Sequence, residues 1–361
     1  MNEKISSLQL SFIIANLIFT TMNLSLPLPL VQMGEQHSWF VPIITFPIIV
    51  VIILIGFGKK KELEKLQVFF AETNKNFFRT CFFIVAQIFL VALFLKDFRA
   101  IIDLITNILL PMTPNSAVAI VLALTLIYMA TGGLEVISRV TTVQFIIIGV
   151  TISLLPLLLL NEISYDYLQP FGGMDFVDHL GKSSYLFTPW VGEAVLVFLL
   201  FTEVGNPEKI KMASIIGVGI GLGLFVIILL LSITVLGLQV LKEVTYPSIT
   251  LIQHINITDF LDRLDLSIVT LWLPTYFAKL ALILYCLNKT ICLQSGKHSN
   301  LLIMPIGVLL GVLSIVLFTN NLDHLEYSFF TWATLGLILE FTIFLLFFII
   351  RVKNKSSSGL L

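Results

Sequence analysis

Apolar segments long enough to cross a bilayer follow one another along almost the whole chain and leave no stretch for a soluble domain. A hydrocarbon core of about 30 Å asks for roughly 20 residues of helix. By that measure the sequence predicts roughly ten spans, at 8–31, 39–58, 78–106, 114–132, 140–161, 187–205, 212–240, 266–289, 300–319 and 327–350. The chain is thus an all-α integral membrane protein forming one polytopic domain over 1–361. The longest polar stretches, 162–186 and 242–265, read as extramembrane loops. Composition agrees: 57% of residues are hydrophobic and 12% charged, where soluble chains carry roughly 25% charge.

The same numbers exclude several functions. Twenty-one Lys+Arg nearly balance 22 Asp+Glu, and no basic stripe points to nucleic acid. Cys81, Cys286 and Cys292 lack metal-ligand spacing and read as reduced core residues. The histidines are scattered, and neither a glycine-rich phosphate loop nor a nucleophile–base pair is legible. No enzymatic activity, cofactor or metal is expected.

Lys and Arg set orientation. With the N-terminus in the cytoplasm, Lys4, Lys59, Lys60, Lys61, Lys65, Lys75, Arg79, Arg139, Lys209, Lys211, Lys289, Lys297, Arg351, Lys353 and Lys355 all fall inside. Only Lys182, Lys242 and Arg263 fall outside, so both ends are expected in the cytoplasm. The opening "MNEKISSLQL" has no small-residue cleavage site, and the first span is expected to remain as an anchor. Residues 63–79 mix Lys and Glu with Leu and Phe. They suit either an amphipathic helix at the inner surface or a helical connector.

Two spans carry flaws. The first contains "NLIFTTMNLSLPLPL" (16–30), with Thr20, Thr21, Asn23 and Ser25 at its middle, followed by Pro27 and Pro29. The sixth contains "PWVGEAVL" (189–196), which sets Gly192 beside Glu193, three residues after Pro189. These positions correspond if the chain is two repeats of five spans, about 8–161 and 187–350. Paired interruptions of this kind point to an inverted-repeat transporter fold with broken helices 1 and 6. Irregular backbone at membrane depth survives only where it lines a cavity or is buried in protein. Thr20, Thr21, Met22 and Asn23 are therefore expected to face Gly192 and Glu193 across a small-ligand site. Ala278 and Lys279 on span eight are expected to complete it.

Ionisable groups inside a bilayer are costly and usually mark function. "LKDFRA" (95–100) places Lys96, Asp97 and Arg99 within one turn of span three, and Lys279 lies in span eight. Asp97, Arg99 and Lys279 read either as ligand-binding groups or as a neutralised interhelical cluster, with Asp97 and Arg99 as an internal pair. Glu340 in "LGLILEFTIF" reads as a structural hydrogen-bonding residue near the lipid side.

Several short motifs, in order, carry a family resemblance: "ISSLQL" before span one, "LSLP" (24–27) with Trp39 opening span two, "DFRA" (97–100), "GGLEVISRV" (132–140), "YPSITLIQ" (246–253) and "FLDRLDLSIVTLW" (260–272). With them the chain resembles the B subunit of bacterial spore germinant receptors. That is a permease-like subunit related to the amino acid–polyamine–organocation transporters. The resemblance implies an amino-acid-permease-like fold and a nutrient-sensing subunit that binds a small germinant, an amino acid or similar, and triggers germination. It also implies receptor A and C subunits as partners in the spore inner membrane. An ion-coupled amino-acid permease is the alternative. Pro27, a Glu135–Arg139 pair one helical turn apart, and Asp262, Arg263 and Asp265 are expected to be structural. Where the family commonly has small residues, often glycines, before Leu-x-Leu-Pro, this chain has Thr20, Thr21 and Met22.

Overall fold

Ser6 starts the first helix with a capping box. Its hydroxyl accepts from the Gln9 backbone N–H, while the Gln9 side chain accepts from Ser6 N–H at 2.8 Å. Two orphan donors of a helix start are thereby satisfied, which explains "SSLQ" ahead of the first span. In the computed structural model, residues 4–71, 76–169, 172, 173, 175–255, 264–296 and 300–356 are described. The helices in chain order are α1 (Ser7–Ser25), α2 (Pro27–Gly34), α3 (Val41–Phe57), α4 (Lys60–Ala71), α5 (Phe77–Leu104), α6 (Asn115–Thr131), α7 (Gly133–Leu158) and α8 (Phe176–Gly192). They continue with α9 (Val197–Leu200), α10 (Ile210–Leu241), α11 (Pro247–Gln253), α12 (Leu264–Ser295), α13 (Ile303–Leu317), α14 (Asn321–Glu326) and α15 (Trp332–Ser356).

Among the described residues, nine helical segments are long and apolar enough to cross a membrane. The apolar α6 is shorter, at 17 residues, the lower end of what a bilayer needs. Several predicted edges move. The fifth span begins at Gly133 rather than 140, and the sixth begins at Phe176 rather than 187. Hydropathy sees only the bilayer-depth part of a helix, and α8 continues outward through the polar residues Asp178, His179 and Lys182. Residues 176–186 are therefore helix rather than loop, and Ser183 is buried.

The bundle is centred on α1, which packs against α10, α7 and α12. Gly217 and Gly221 on α10 allow the closest approach. A Cβ at Gly221 would sit 2.9 Å from the Ala15 carbonyl oxygen, and one at Gly217 would meet the Ser11 carbonyl. Ser11 closes the seam by donating its hydroxyl to the Ala213 carbonyl at 2.9 Å. Small residues four apart let membrane helices approach closely where no hydrophobic force drives them together.

The two expected interruptions are present, but neither is an unwound segment. Helix α1 runs unbroken through Thr20–Ser25, and the break falls at Leu26, whose φ and ψ of −73° and −28° are still helical. Pro27 and Pro29 lack N–H groups and cannot bond the carbonyls four residues back, so the span kinks instead of opening. The carbonyl freed at Asn23 is taken by the Ser248 hydroxyl at 2.5 Å. In the sixth span the α-helix ends at Gly192 and tightens into a 3₁₀ turn at Glu193–Leu196.

At the end of the bundle where the chain begins, the Ile5 N–H bonds the Glu203 carbonyl at 2.9 Å and its carbonyl accepts from Gly205 N–H at 3.0 Å. Helix α4 buries Leu63, Leu66 and Phe70, and Gln67 donates to the Phe201 carbonyl at 2.7 Å. Of the two readings of 63–79, the helical connector against protein fits α4.

Candidate ligand site

Helices α1, α5 and α12 and the 3₁₀ turn of the sixth span each bring one or two polar groups to a common point. Lys96 and Asp97 come from α5, Glu193 from the turn, Lys279 from α12 and Thr21 from α1. Lys96 Nζ lies 3.0 Å from Glu193 Oε1 and 3.2 Å from Asp97 Oδ1. Lys279 Nζ lies 2.5 Å from Glu193 Oε2, 2.9 Å from Asp97 Oδ2 and 2.6 Å from Thr21 Oγ1. Two ammonium groups and two carboxylates thus alternate in a closed ring. Each of the four side chains is no more than 1% exposed. Their formal charges cancel, and the mutual pairing offsets part of the cost of holding ions away from water.

Lys96 is enclosed further. Its ammonium sits 3.8 Å from the Trp190 ring centroid and 4.6 Å from that of Trp332, both within cation–π range. The indole N–H groups of both tryptophans and the Tyr276 hydroxyl are buried without hydrogen-bond partners. The α to 3₁₀ switch supports the ring by setting Glu193 directly after Gly192.

Farther along α5 a second cluster forms. Arg99 Nε donates to Asp103 Oδ1 at 2.9 Å, and Arg99 Nη1 donates to the Phe318 carbonyl at 2.6 Å. His324 Nδ1 lies 3.2 Å from Asp103 Oδ2. His324 Nε2 lies 2.9 Å from the carbonyl oxygen of Lys96, so that nitrogen carries the hydrogen, because a carbonyl only accepts. Short π-helical turns at Ile105–Leu109 and Tyr327–Thr331 flank this cluster, as such turns often do at functional sites.

The profile of the family described as "Spore germination protein", a spore permease family, matches residues 4–323. The chain belongs to that family. It is 25% identical over 337 residues to YfkT of Bacillus subtilis (strain 168), covering 92% of each chain. It is 27% identical over 220 residues to spore germination protein KB of the same organism, covering 59% of this chain and 58% of the other. With spore germination protein B2 it shares 22% identity over 285 residues and 76% of each chain. The fold is similar to that of Mhp1, a nucleobase-cation-symport-1 family transporter solved in a closed conformation with bromovinylhydantoin bound. The TM-score is 0.61 at 12% identity, covering 98% of this chain and 93% of that one. This member of the family is therefore an integral membrane helical bundle with an amino-acid-permease-like fold, and its family and fold are those of membrane permeases.

Of the residues singled out in the sequence, Thr21, Asp97, Glu193 and Lys279 meet in the ring of this family member. The others are placed elsewhere. Thr20 donates to Asn16 Oδ1 at 3.0 Å, and Asn16 in turn donates to the Thr275 carbonyl at 3.1 Å, tying α1 to α12. Asn23 accepts from Ser248 through its side chain as well, at 2.9 Å. Met22 and Ala278 are buried packing residues. Pro27 acts as the kink.

The expected Asp97–Arg99 pair does not form. Positions two apart lie about 200° apart around a helix, so Asp97 faces Lys279 while Arg99 faces Asp103. At Gly192 a side chain would strike the Glu340 carboxylate. Glu340 itself is buried rather than lipid-facing, and its Oε1 has no hydrogen-bond partner, so the expected structural bond is absent. Glu135 and Arg139 do pair, at an exposed site, where such bridges contribute little. Asp262 and Arg263 lie outside the described residues, and Asp265 falls in the first turn of α12. Lys96 stands out in the sequence as an intramembrane charge but not as part of the site. Nothing in the sequence marks Trp190, Trp332, Asp103 and His324 as its neighbours, because only the packing of separate helices unites them.

Proposed function

We propose that this chain is the nutrient-sensing membrane subunit of a spore germinant receptor, and that the ring of Lys96, Asp97, Glu193 and Lys279 is where the nutrient binds. The closed ring, seated at the break of the sixth span, is the observation that carries this reading. A zwitterionic nutrient such as an α-amino acid presents one carboxylate and one ammonium. Its carboxylate can replace Asp97 or Glu193 on the lysines while its ammonium takes the released carboxylate. The buried layer keeps zero net charge throughout.

Binding then trades one set of charge-assisted bonds for another and shifts the bundle toward the conformation in which the ring is open. A ligand can shift that equilibrium only by its difference in affinity for the two states. The change passes to the receptor's A and C subunits in the spore inner membrane and triggers germination. The two repeats, about 8–161 and 187–350, are the bodies that move against each other. The names of the relatives, all spore germination proteins, support the process.

The test uses the purified chain in lipid nanodiscs with isotope-labelled nutrients. Zwitterionic amino acids are expected to bind, and analogues lacking either the ammonium or the carboxylate to bind at least about tenfold more weakly, the equivalent of 1.4 kcal/mol. Equal binding of an uncharged sugar or nucleoside removes the ring as the determinant. Accumulation of label inside sealed vesicles bearing this chain alone would instead make it a permease. Orientation is tested in the same membranes. A cysteine replacing Tyr165, 71% exposed, should react with an impermeant reagent from outside, and one replacing the exposed Lys65 should not.

A further inference from the structure

Glu340 stands apart from every charge described above. Its carboxylate rests against the backbone of Gly192, in the space a Cβ of that residue would need. The residue is 4% exposed and its Oε1 is unpartnered. The cations of the neighbouring ring, Lys96 and Lys279, are already held by Asp97 and Glu193. Beside Glu340 lies a cavity of about 100 Å³ between α3, the sixth span and α15, walled by Ile49, Ile53, Phe198, Phe341 and Phe344. Phe341 is 64% exposed on the lipid-facing side. Thr188, the other polar side chain on the cavity, gives its hydroxyl to the Ser184 carbonyl at 2.6 Å.

An isolated carboxylate in such surroundings is too costly to persist, and the group neutralises. A hard metal cation would require about six oxygen ligands, and the lining side chains offer this carboxyl and one committed hydroxyl. A proton needs one oxygen.

We propose that Glu340 is a proton-binding site, protonated while it rests against Gly192, and that it ionises only when α15 separates from that residue. The charged groups reaching it are Glu193 from the 3₁₀ turn and Lys96 from α5. The segments of α3 and α8 that wall the cavity, Ile49 to Ile53 and Thr188, bring none. Glu193 would repel a second negative charge, and Lys96 is held between two tryptophans and two carboxylates. The closed junction therefore accepts the neutral acid. A proton lost from Glu340 would press α15 away from the residue that precedes Glu193, linking proton occupancy to the geometry of the ring.

Two measurements on the full chain in lipid test this, and neither uses nutrient. In infrared spectra at neutral pH, the carbonyl stretch of a protonated carboxylic acid should be present in the wild type and absent from Glu340→Gln. That variant should accumulate at the wild-type level, because a neutral amide copies a neutral acid. If Glu340→Gln instead loses carboxylate intensity and keeps the acid band, the residue is ionised and the proposal fails. In the second measurement dicyclohexylcarbodiimide, a membrane-soluble reagent, is added to the wild-type protein. The acid O–H adds across a C=N bond of the reagent and nothing leaves, so the Glu340 peptide should gain the full reagent mass, less so as pH rises. An unmodified Glu340 peptide overturns the protonated acid facing the cavity, whatever the nutrient assays show.

Discussion

The two clusters on α5 are built from similar groups and solve the same problem differently. In the ring, each of four charges touches two of opposite sign, and the partners come from three separate parts of the bundle. In the Arg99 cluster, the main ion pair lies within one helix, four residues apart, Arg99 is also bonded to the Phe318 carbonyl, and His324 Nδ1 stands 3.2 Å from Asp103. The first arrangement exists only while the helices are assembled in one way. The second travels with α5 and is finished by groups from 318–324. A charge set that depends on helix placement can report a change of placement, whereas an intrahelical pair mainly holds its own helix. On the proposed function, this difference makes the ring the better sensor, and His324, bonded to the carbonyl of Lys96, joins the two clusters mechanically.

The largest expected effect tests whether the ring is a closed unit. Asp97→Asn or Lys279→Gln alone leaves a buried charge uncompensated, at about 3–5 kcal/mol, and should nearly abolish accumulation in the membrane. Lys279→Gln combined with Glu193→Gln restores neutrality and should recover much of the protein while losing nutrient binding. If the double variant accumulates no better than either single one, the four charges are not coupled.

Arg99→Gln should cost less, about 2 kcal/mol, because it removes one pair within α5 and one bond to the Phe318 carbonyl rather than opening a closed ring. Its loss should be relieved by Asp103→Asn and not by Asp97→Asn, which adds a loss of its own, as read from accumulation in the membrane. Rescue by Asp97→Asn would restore the pairing that the sequence alone leads one to expect.

How much of the molecule is legible in its sequence follows from what a linear pattern can carry. Charges inside apolar spans stand out, so Lys96, Asp97, Arg99, Glu193, Lys279 and Glu340 are all conspicuous in the sequence. The family and the helical bundle are legible as well, through span count and motif order. Pairing is not, because it depends on how helices rotate and meet. Asp97 and Arg99 are neighbours in sequence and face opposite ways, while Gly192 and Glu340 are far apart in sequence and share one space. The Thr-rich middle of span one draws attention to 20–25, but hydroxyls bonded within or between helices do not break them. The prolines do, one step later, at Leu26. The Gly217–Gly221 spacing on α10 is plain in the sequence, yet only the seam with α1 gives it a meaning.

The smallest expected effect concerns that kink, and it separates a helix bent for shape from one opened for ligand. Pro27 frees the Asn23 carbonyl, and the Ser248 hydroxyl takes it up. Ser248→Ala should therefore leave a buried acceptor short of one bond and cost about 1 kcal/mol. Pro27→Ala returns an N–H that can bond the same carbonyl in the ordinary helical way, at the expense of the kink. With that N–H in place, adding Ser248→Ala should cost far less than it does in the wild type. The expected signature is thus an interaction between the two substitutions comparable to the single effect of Ser248→Ala, measured as shifts in unfolding temperature. Strict additivity would mean that the Asn23 carbonyl is not the shared acceptor, and that the backbone at 23–27 is free to meet a ligand, as the sequence pattern implies.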